Sequence, residues 1–316
     1  MTYRILSIDG GGIRGLLVAV LLERLEASHP GFLAQIDLFA GTSTGGILAL
    51  GLAAGMPPAK GRELYEQKGP QVFADSFWHN VKNLGFAIGA QYGNENLKIA
   101  LQEILQDKKL KELEKRVVIS AFDLDNETAA SHKPRSWKPK FFHNFPGPDS
   151  DGEELAIDIA LRTSAAPGFF PVYQGYIDGG VVANNPAMCA VAQALDPRTG
   201  QQPLEEIVLL SIGTGHNPKY IKAYNEDWGW LQWAVRLRSG TETPVELPLL
   251  EIILDGSLGV ADFQCRRLLH ERYHRLNPHL TRPIGLDDIT EIPALVEAGE
   301  QFNLDDTLTW LSQYFD

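Results

Sequence analysis

The chain opens on a short apolar run, Arg4 to Ile8, then a turn at Asp9 to Gly12. Apolar residues at helical spacing follow, Leu16, Leu17, Val20, Leu21 and Leu25, within Ile13 to Ala27. The pattern repeats at once. A second apolar run, Ile36 to Ala40, meets Gly41-Thr-Ser-Thr-Gly45 and enters a stretch rich in Ala, Leu and Gly. Two strand–turn–helix units so close together predict a mostly parallel sheet with helices on its faces. Further strands are expected at Arg116 to Phe122, Lys140 to Asn144, Phe170 to Ile177 and Ile207 to Ile212. Helices are expected between them, at Asn94 to Leu105, Glu154 to Thr163 and Pro186 to Leu195. Val117-Val-Ile119 and Ile207-Val-Leu-Leu210 are continuous apolar runs, as strands covered on both faces require. Beyond about Gly215 the pattern turns helical, passes Trp228, Trp230 and Trp233, and ends in an amphipathic stretch near Leu304 to Phe315.

Composition narrows the class without choosing a chemistry. A chain of 316 residues, 44% hydrophobic and 22% charged, is the size and balance of one large α/β domain. Its net charge of −12 argues against nucleic acid as a partner and against constitutive attachment to an anionic membrane. Cys189 and Cys265 have no metal-ligand spacing and read as free thiols of a reducing compartment. The first residues lack the pattern of a signal peptide. Ala40 to Met56, the longest low-charge stretch, is short for a membrane span and reads as a buried helix. A cytoplasmic protein is the expectation.

Chemistry enters at the first glycine turn. Gly10-Gly-Gly12-Ile-Arg-Gly15 follows a strand and opens a helix, where unsatisfied amides favour negative charge. That arrangement serves either the pyrophosphate of a dinucleotide or the oxyanion of an acyl-transfer intermediate. The dinucleotide reading, a nucleotide-dependent oxidoreductase, asks for an acid about 20 residues on, and Asp37 is the one available. Gly41-Thr-Ser43-Thr-Gly45 lies between an apolar strand and an apolar helix, the context of a nucleophile elbow. Its glycines, Gly41 and Gly45, permit the sharp turn, and the Thr44 amide is free to join an oxyanion hole.

A serine nucleophile needs a base. His270 and His274 fall late enough in the chain for a hydrolase triad, but they alternate with charged residues in Arg266 to Arg275, which reads as the solvated face of a helix. Asp178 ends the expected strand Phe170 to Ile177 and is followed by Gly179 and Gly180, which allow close backbone approach. An Asp-Gly pair is also ordinary turn chemistry.

Together, Asp9-Gly-Gly-Gly-Ile-Arg-Gly15, Gly41-Thr-Ser-Thr-Gly45 and Asp178-Gly-Gly-Val-Val-Ala-Asn-Asn-Pro186 resemble the motifs of patatin-like phospholipases, in the same order. Ala165-Ala-Pro167, Phe169-Phe-Pro171 and Ser211-Ile-Gly-Thr-Gly215 add to the resemblance, which spans residues 3 to about 215. It implies a three-layer α/β/α sandwich with a mostly parallel central sheet. It also implies a Ser43–Asp178 dyad without histidine, and an oxyanion hole drawn from Gly10, Gly11, Gly12, Ile13, Arg14, Gly15 and Thr44. No metal or organic cofactor is required. On this reading residues 1–215 form the catalytic core, and 216–316 are a helical part of the same domain or a cap. The implied activity is hydrolysis of fatty-acyl esters in phospholipids or other lipids. A variant of that reading is a phospholipase effector switched on by a cyclic nucleotide. His132 to Lys140, basic and bearing Trp137, reads as a solvated loop or a headgroup contact. Trp228, Trp230 and Trp233 read as packing or as a transient membrane contact.

Overall fold

In the computed structural model, which describes residues 2–73, 90–126, 134–221, 227–234 and 247–315, seven strands make one sheet. They are β1 (Tyr3–Ile8), β2 (Leu38–Thr42), β3 (Arg116–Asp123), β4 (Lys138–His143), β5 (Tyr176–Asp178), β6 (Ile207–Ile212) and β7 (Tyr273–Leu276). The order is β4-β3-β2-β1-β6-β7, with β5 paired to β3 off this path. Contacts from β3 through β2, β1 and β6 to β7 are parallel; β4 and β5 run antiparallel to β3. The principal helices are α1 (Gly15–Ser28), α2 (Thr44–Ala53), α3 (Glu95–Leu105), α4 (Ala156–Thr163), α5 (Ala187–Leu195), α6 (Pro248–Leu269), α7 (Ile292–Gln301) and α8 (Asp305–Phe315).

Alternate residues of each central strand enter different cores, because successive side chains leave a strand on opposite faces. Leu6, Ile8, Phe39, Val117, Ile119, Val208 and Leu210 join one buried cluster with α1 to α4, α7 and α8. Ile5, Leu38, Ala40, Val118, Ile207 and Leu209 join the other, with Ala190 and Val191 of α5 and Cys265 and Leu269 of α6. This is the three-layer arrangement the continuous apolar runs imply.

Two expectations are corrected. Phe170 to Ile177 is not one strand. Phe169 and Phe170 donate backwards to the Ala166 carbonyl, and Gln174 and Gly175 take φ of 49° and 83°. A tight Tyr173–Tyr176 hairpin leaves only Tyr176–Asp178 to pair with β3, so Asp178 lies within the strand. Arg266 to Arg275 is likewise not one helix. His270 takes φ 51° and ends α6, and Tyr273–Leu276 becomes the sheet-edge strand β7 with both end residues buried. The C-terminal hundred residues thus complete the sheet. The stretch His132 to Lys140 begins outside the described residues and ends in β4, where Lys140 pairs with Asp151 at 2.5 Å.

Candidate active site

The glycine turn follows β1, the serine turn follows β2, and both strands are parallel, so the two turns share one edge of the sheet. Ser43 takes φ 54°, a costly conformation for a residue with a Cβ. Its flanking glycines are what make the turn possible. A Cβ on Gly41 would run into the Gly45 carbonyl, and one on Gly45 into the carbonyls of Ile8 and Asp9. The Ser43 amide donates to Thr163 Oγ1 at 2.8 Å, and that hydroxyl donates to the Ser120 carbonyl at 2.6 Å. The Thr163 hydroxyl, accepting one bond and donating the other, therefore holds the elbow to β3 and α4.

Asp178 reaches the same point by strand pairing. β2 covers one edge of β3 only as far as Ser120, opposite Thr42. β5 takes over that edge with Asp178 opposite Ala121, so its carboxyl arrives where the chain leaves β2 for Ser43. Asp178 is buried, and burial pushes its pKa up to about 6. The Ser43 hydroxyl beside the carboxyl, and the Gly180 amide, donating to Oδ1 at 2.7 Å, both oppose that rise.

Accounting for the amides of the first glycine turn separates its residues. Gly10 donates to Asn184 O at 2.9 Å, Ile13 to Leu286 O at 2.7 Å, and Arg14 to Gly11 O at 3.2 Å. Gly15 donates to the carbonyls of Gly12 and Ile13. Among the described residues, the Gly11 and Gly12 amides have no protein acceptor, and neither does that of Thr44 in the first turn of α2. A Cβ on Gly10 would lie 3.3 Å from Ser43 Cβ, so this turn abuts the elbow.

Gly11, Gly12, Ser43, Thr44 and Asp178 open into one cavity. One wall is apolar, with Ile47, Leu64, Val72, Phe73, Leu97 and Phe170. The lining also carries Arg14, Lys219, Glu251 and Asp255. Burial lowers the Arg14 pKa, while the nearby carboxylates of Asp255, Glu251 and Asp9 raise it.

Among the described residues lining this cavity there is no histidine. His274 stacks on Trp310 with ring centroids 5.3 Å apart and bonds Thr307 at 2.9 Å, while His270 is exposed beyond α6. Asp37 lies at the N-terminal end of β2, accepting the Arg4 amide at 2.8 Å. That is the far edge of the sheet from the glycine turn, which removes the acid a dinucleotide reading needs. Among the described residues no group of His, Cys, Asp and Glu could hold a metal ion.

Three contributors escape the motif reading. Thr163 sits in an ordinary helical pattern and gives no signal. Asn184 lies inside the quoted motif, yet its role as acceptor for Gly10 depends on folding. Arg275 of β7 clasps both carboxylate oxygens of buried Asp9, at 3.0 Å to Oδ1, and bonds Ser211 Oγ at 2.7 Å. It thereby fixes the residue that precedes the glycine turn.

The sequence model of the patatin-like phospholipase family matches residues 6–191. The chain belongs to that family. It is 32% identical to Protein teg of Priestia megaterium, over 96% of this chain and 95% of that protein. It is 30% identical to patatin-like protein 4 of Arabidopsis thaliana, over 82% and 70% of the two chains. It is 28% identical to the cGAMP-activated phospholipase of Pseudomonas aeruginosa, over 89% and 79%. The protein is a lipid acyl hydrolase. Among the described residues no helix is long and apolar enough to cross a membrane.

Proposed function

We propose that the patatin-like core cleaves fatty-acyl esters through Ser43 as nucleophile and Asp178 as general base, with an acyl-enzyme between. The observation that carries this reading is that the buried Asp178 carboxyl and Ser43 open into one cavity with an apolar lining. A pKa of about 6 leaves the carboxylate ionised at neutral pH yet basic enough to take a proton in the transition state. As Ser43 Oγ bonds the ester carbonyl carbon, its proton passes to Asp178. The amides of Gly11, Gly12 and Thr44 face the developing oxyanion, each worth roughly 3–4 kcal/mol in comparable sites. Protonated Asp178 then protonates the departing alcohol or lysolipid. Water, deprotonated by the same carboxylate, releases the fatty acid and restores Ser43. Gly10, Ile13, Arg14 and Gly15 shape the turn rather than donate to the oxyanion, since their amides are bonded within it or to its neighbours.

The test is fatty-acid release from p-nitrophenyl acyl esters and mixed phospholipid vesicles. Turnover by wild type, lost in Ser43→Ala and in Asp178→Asn, is the expected outcome; full turnover by either variant would sink the dyad. The relative named for activation by cGAMP supports a second reading, in which a cyclic nucleotide switches the same site on. Turnover that appears only when a cyclic dinucleotide is added would select it.

A further inference from the structure

The long helix α6 is apolar on two sides. Its inward side packs Leu254, Ala261, Cys265 and Leu269 against the fold, and Glu251, Leu254 and Asp255 line the catalytic cavity. The outward side carries Leu249, Ile252, Ile253, Val260 and Phe263, exposed by 39%, 46%, 40%, 58% and 61%. At 100° per residue these five fall within one outward stripe, about 20 Å long at 1.5 Å per residue. Gly256 and Gly259 lie between them, and among the described residues a Cβ built on either meets nothing within 4 Å. The short helix Trp230–Ala234 packs against α6 and adds Trp230 and Leu231, exposed by 81% and 65%. Surface this apolar and this continuous calls for an occupant.

We propose that this face of α6, with Trp230 and Leu231, is a docking surface for a zwitterionic lipid bilayer. The inference deepens the function proposed above and rests on it, since the bilayer would present acyl esters to the cavity lined by the same helix. Three observations select this occupant. The helix that carries the stripe also walls the cavity of a lipid acyl hydrolase. The exposed residues mix aliphatic side chains with Phe and Trp, the composition of a segment seated in the headgroup layer. From Leu249 to Phe263 no charged side chain lies in the stripe. The chain as a whole carries a net charge of −12. That charge is matched to a neutral surface rather than an anionic one. Arg266 is occupied by Asp262 at 3.0 Å, and the Arg267 guanidinium lies over the Phe263 ring at 5.5 Å.

The test separates docking from turnover. Ser43→Ala protein is floated with phosphatidylcholine vesicles and compared with the same protein carrying Val260→Asp and Phe263→Asp. Vesicle binding should fall by about tenfold or more with the two carboxylates. Val260→Ser with Phe263→Ser, which adds no charge, should move it in the same direction. Wild-type binding should survive about 0.5 M salt, where exposed charges are screened within a few ångströms. With Ser43 intact, the Val260→Asp/Phe263→Asp protein should hydrolyse p-nitrophenyl butyrate, a monomeric soluble ester, at the wild-type rate. Unchanged flotation of both double variants would overturn the proposal. So would binding confined to phosphatidylglycerol vesicles and abolished by salt. A wild-type dimer in sedimentation that either double variant dissolves would assign the face to a second copy instead. A wild type that floats but leaves the soluble ester intact would overturn the catalytic reading and not the docking surface.

Discussion

Ser43 and Asp178 stand side by side, yet opposite kinds of structure put them there. The serine is set locally. A strand end, two glycines that nothing larger can replace and the start of α2 force φ to 54° and lift the hydroxyl off the sheet. The aspartate is set at long range. Three residues of β5 find the stretch of β3 edge that β2 leaves open. A local turn stores its strain in the backbone, whereas a buried carboxylate stores it in desolvation. The two residues should therefore answer mutation differently even where they share a reaction.

Activity is where they should agree. Ser43→Ala and Asp178→Asn should each lower kcat/KM by roughly 10⁴-fold or more, because nucleophile and base act as a unit. Stability is where they should part. The Asp178 pKa is raised to about 6, above the roughly 3.9 of an unfolded aspartate. Wild type thus loses stability as pH rises from about 4 to about 6, by up to about 3 kcal/mol, and does not regain it at higher pH. Asn carries no such charge. In urea denaturation, Asp178→Asn should match wild type near pH 4 and exceed it at pH 8, while Ser43→Ala, which removes a group that holds the Asp178 pKa down, should keep the wild-type loss and enlarge it. The same titration gives kcat/KM an acid limb near pH 6, with activity rising as Asp178 ionises. An activity that stays flat from pH 5 to pH 8 would separate the base from Asp178.

The next largest effect concerns how the first glycine turn is anchored. Asp9 is fully buried, and its partner Arg275 comes from the other end of the chain. Arg275→Ala should cost about 3–5 kcal/mol, because it strands a charge in the core. Replacing the pair together, Asp9→Asn with Arg275→Met, should cost far less. Equal losses in the single and double variants, measured by urea denaturation, would show that the ion pair does not hold the turn.

The same contrast explains what could be read in advance. The elbow, the glycine turn and the alternating strand–helix order were legible because each is written in consecutive residues with a strong local signal. β1, β2, β3 and β6 fell close to their expected positions, since buried parallel strands announce themselves as apolar runs. β5 was misread because Phe170 and Val172 look like strand residues, while the turn at Gln174 and Gly175 decides the outcome. β7 was misread because Arg275 has the composition of a solvated face, and only the facing, buried Asp9 ties it to the core. The Gly11 and Gly12 amides could be separated from those of Gly10 and Ile13 only once Asn184 and Leu286 were in place.

A smaller effect should appear at Thr163, which ties the two routes together. Its hydroxyl accepts from the Ser43 amide and donates to Ser120, the β3 residue next to the one opposite Asp178. Thr163→Val keeps the volume and removes both bonds, leaving a buried amide unsatisfied at about 1–3 kcal/mol. The elbow should loosen against the base, so kcat/KM should drop about 10- to 100-fold with KM for a soluble ester little changed. Thr163→Ser, which restores the hydroxyl, should recover most of it. A stability loss without any fall in kcat would make Thr163 a scaffold residue alone.

The smallest expected change tests whether Asp178 acts without help. The combined variant His270→Ala/His274→Ala should hydrolyse soluble esters within about twofold of wild type, since neither side chain lines the cavity. It should still be measurably less stable. His274 stacks on Trp310 and bonds Thr307, and burial lowers its pKa, so it serves the packing of α8 on β7 as a neutral ring. Losing that contact should cost roughly 1 kcal/mol. A fall in kcat/KM comparable to that of Asp178→Asn would mean that a histidine reaches Ser43 during turnover. The difference between a locally set nucleophile and a distantly set base would then be one of geometry at rest, not of mechanism.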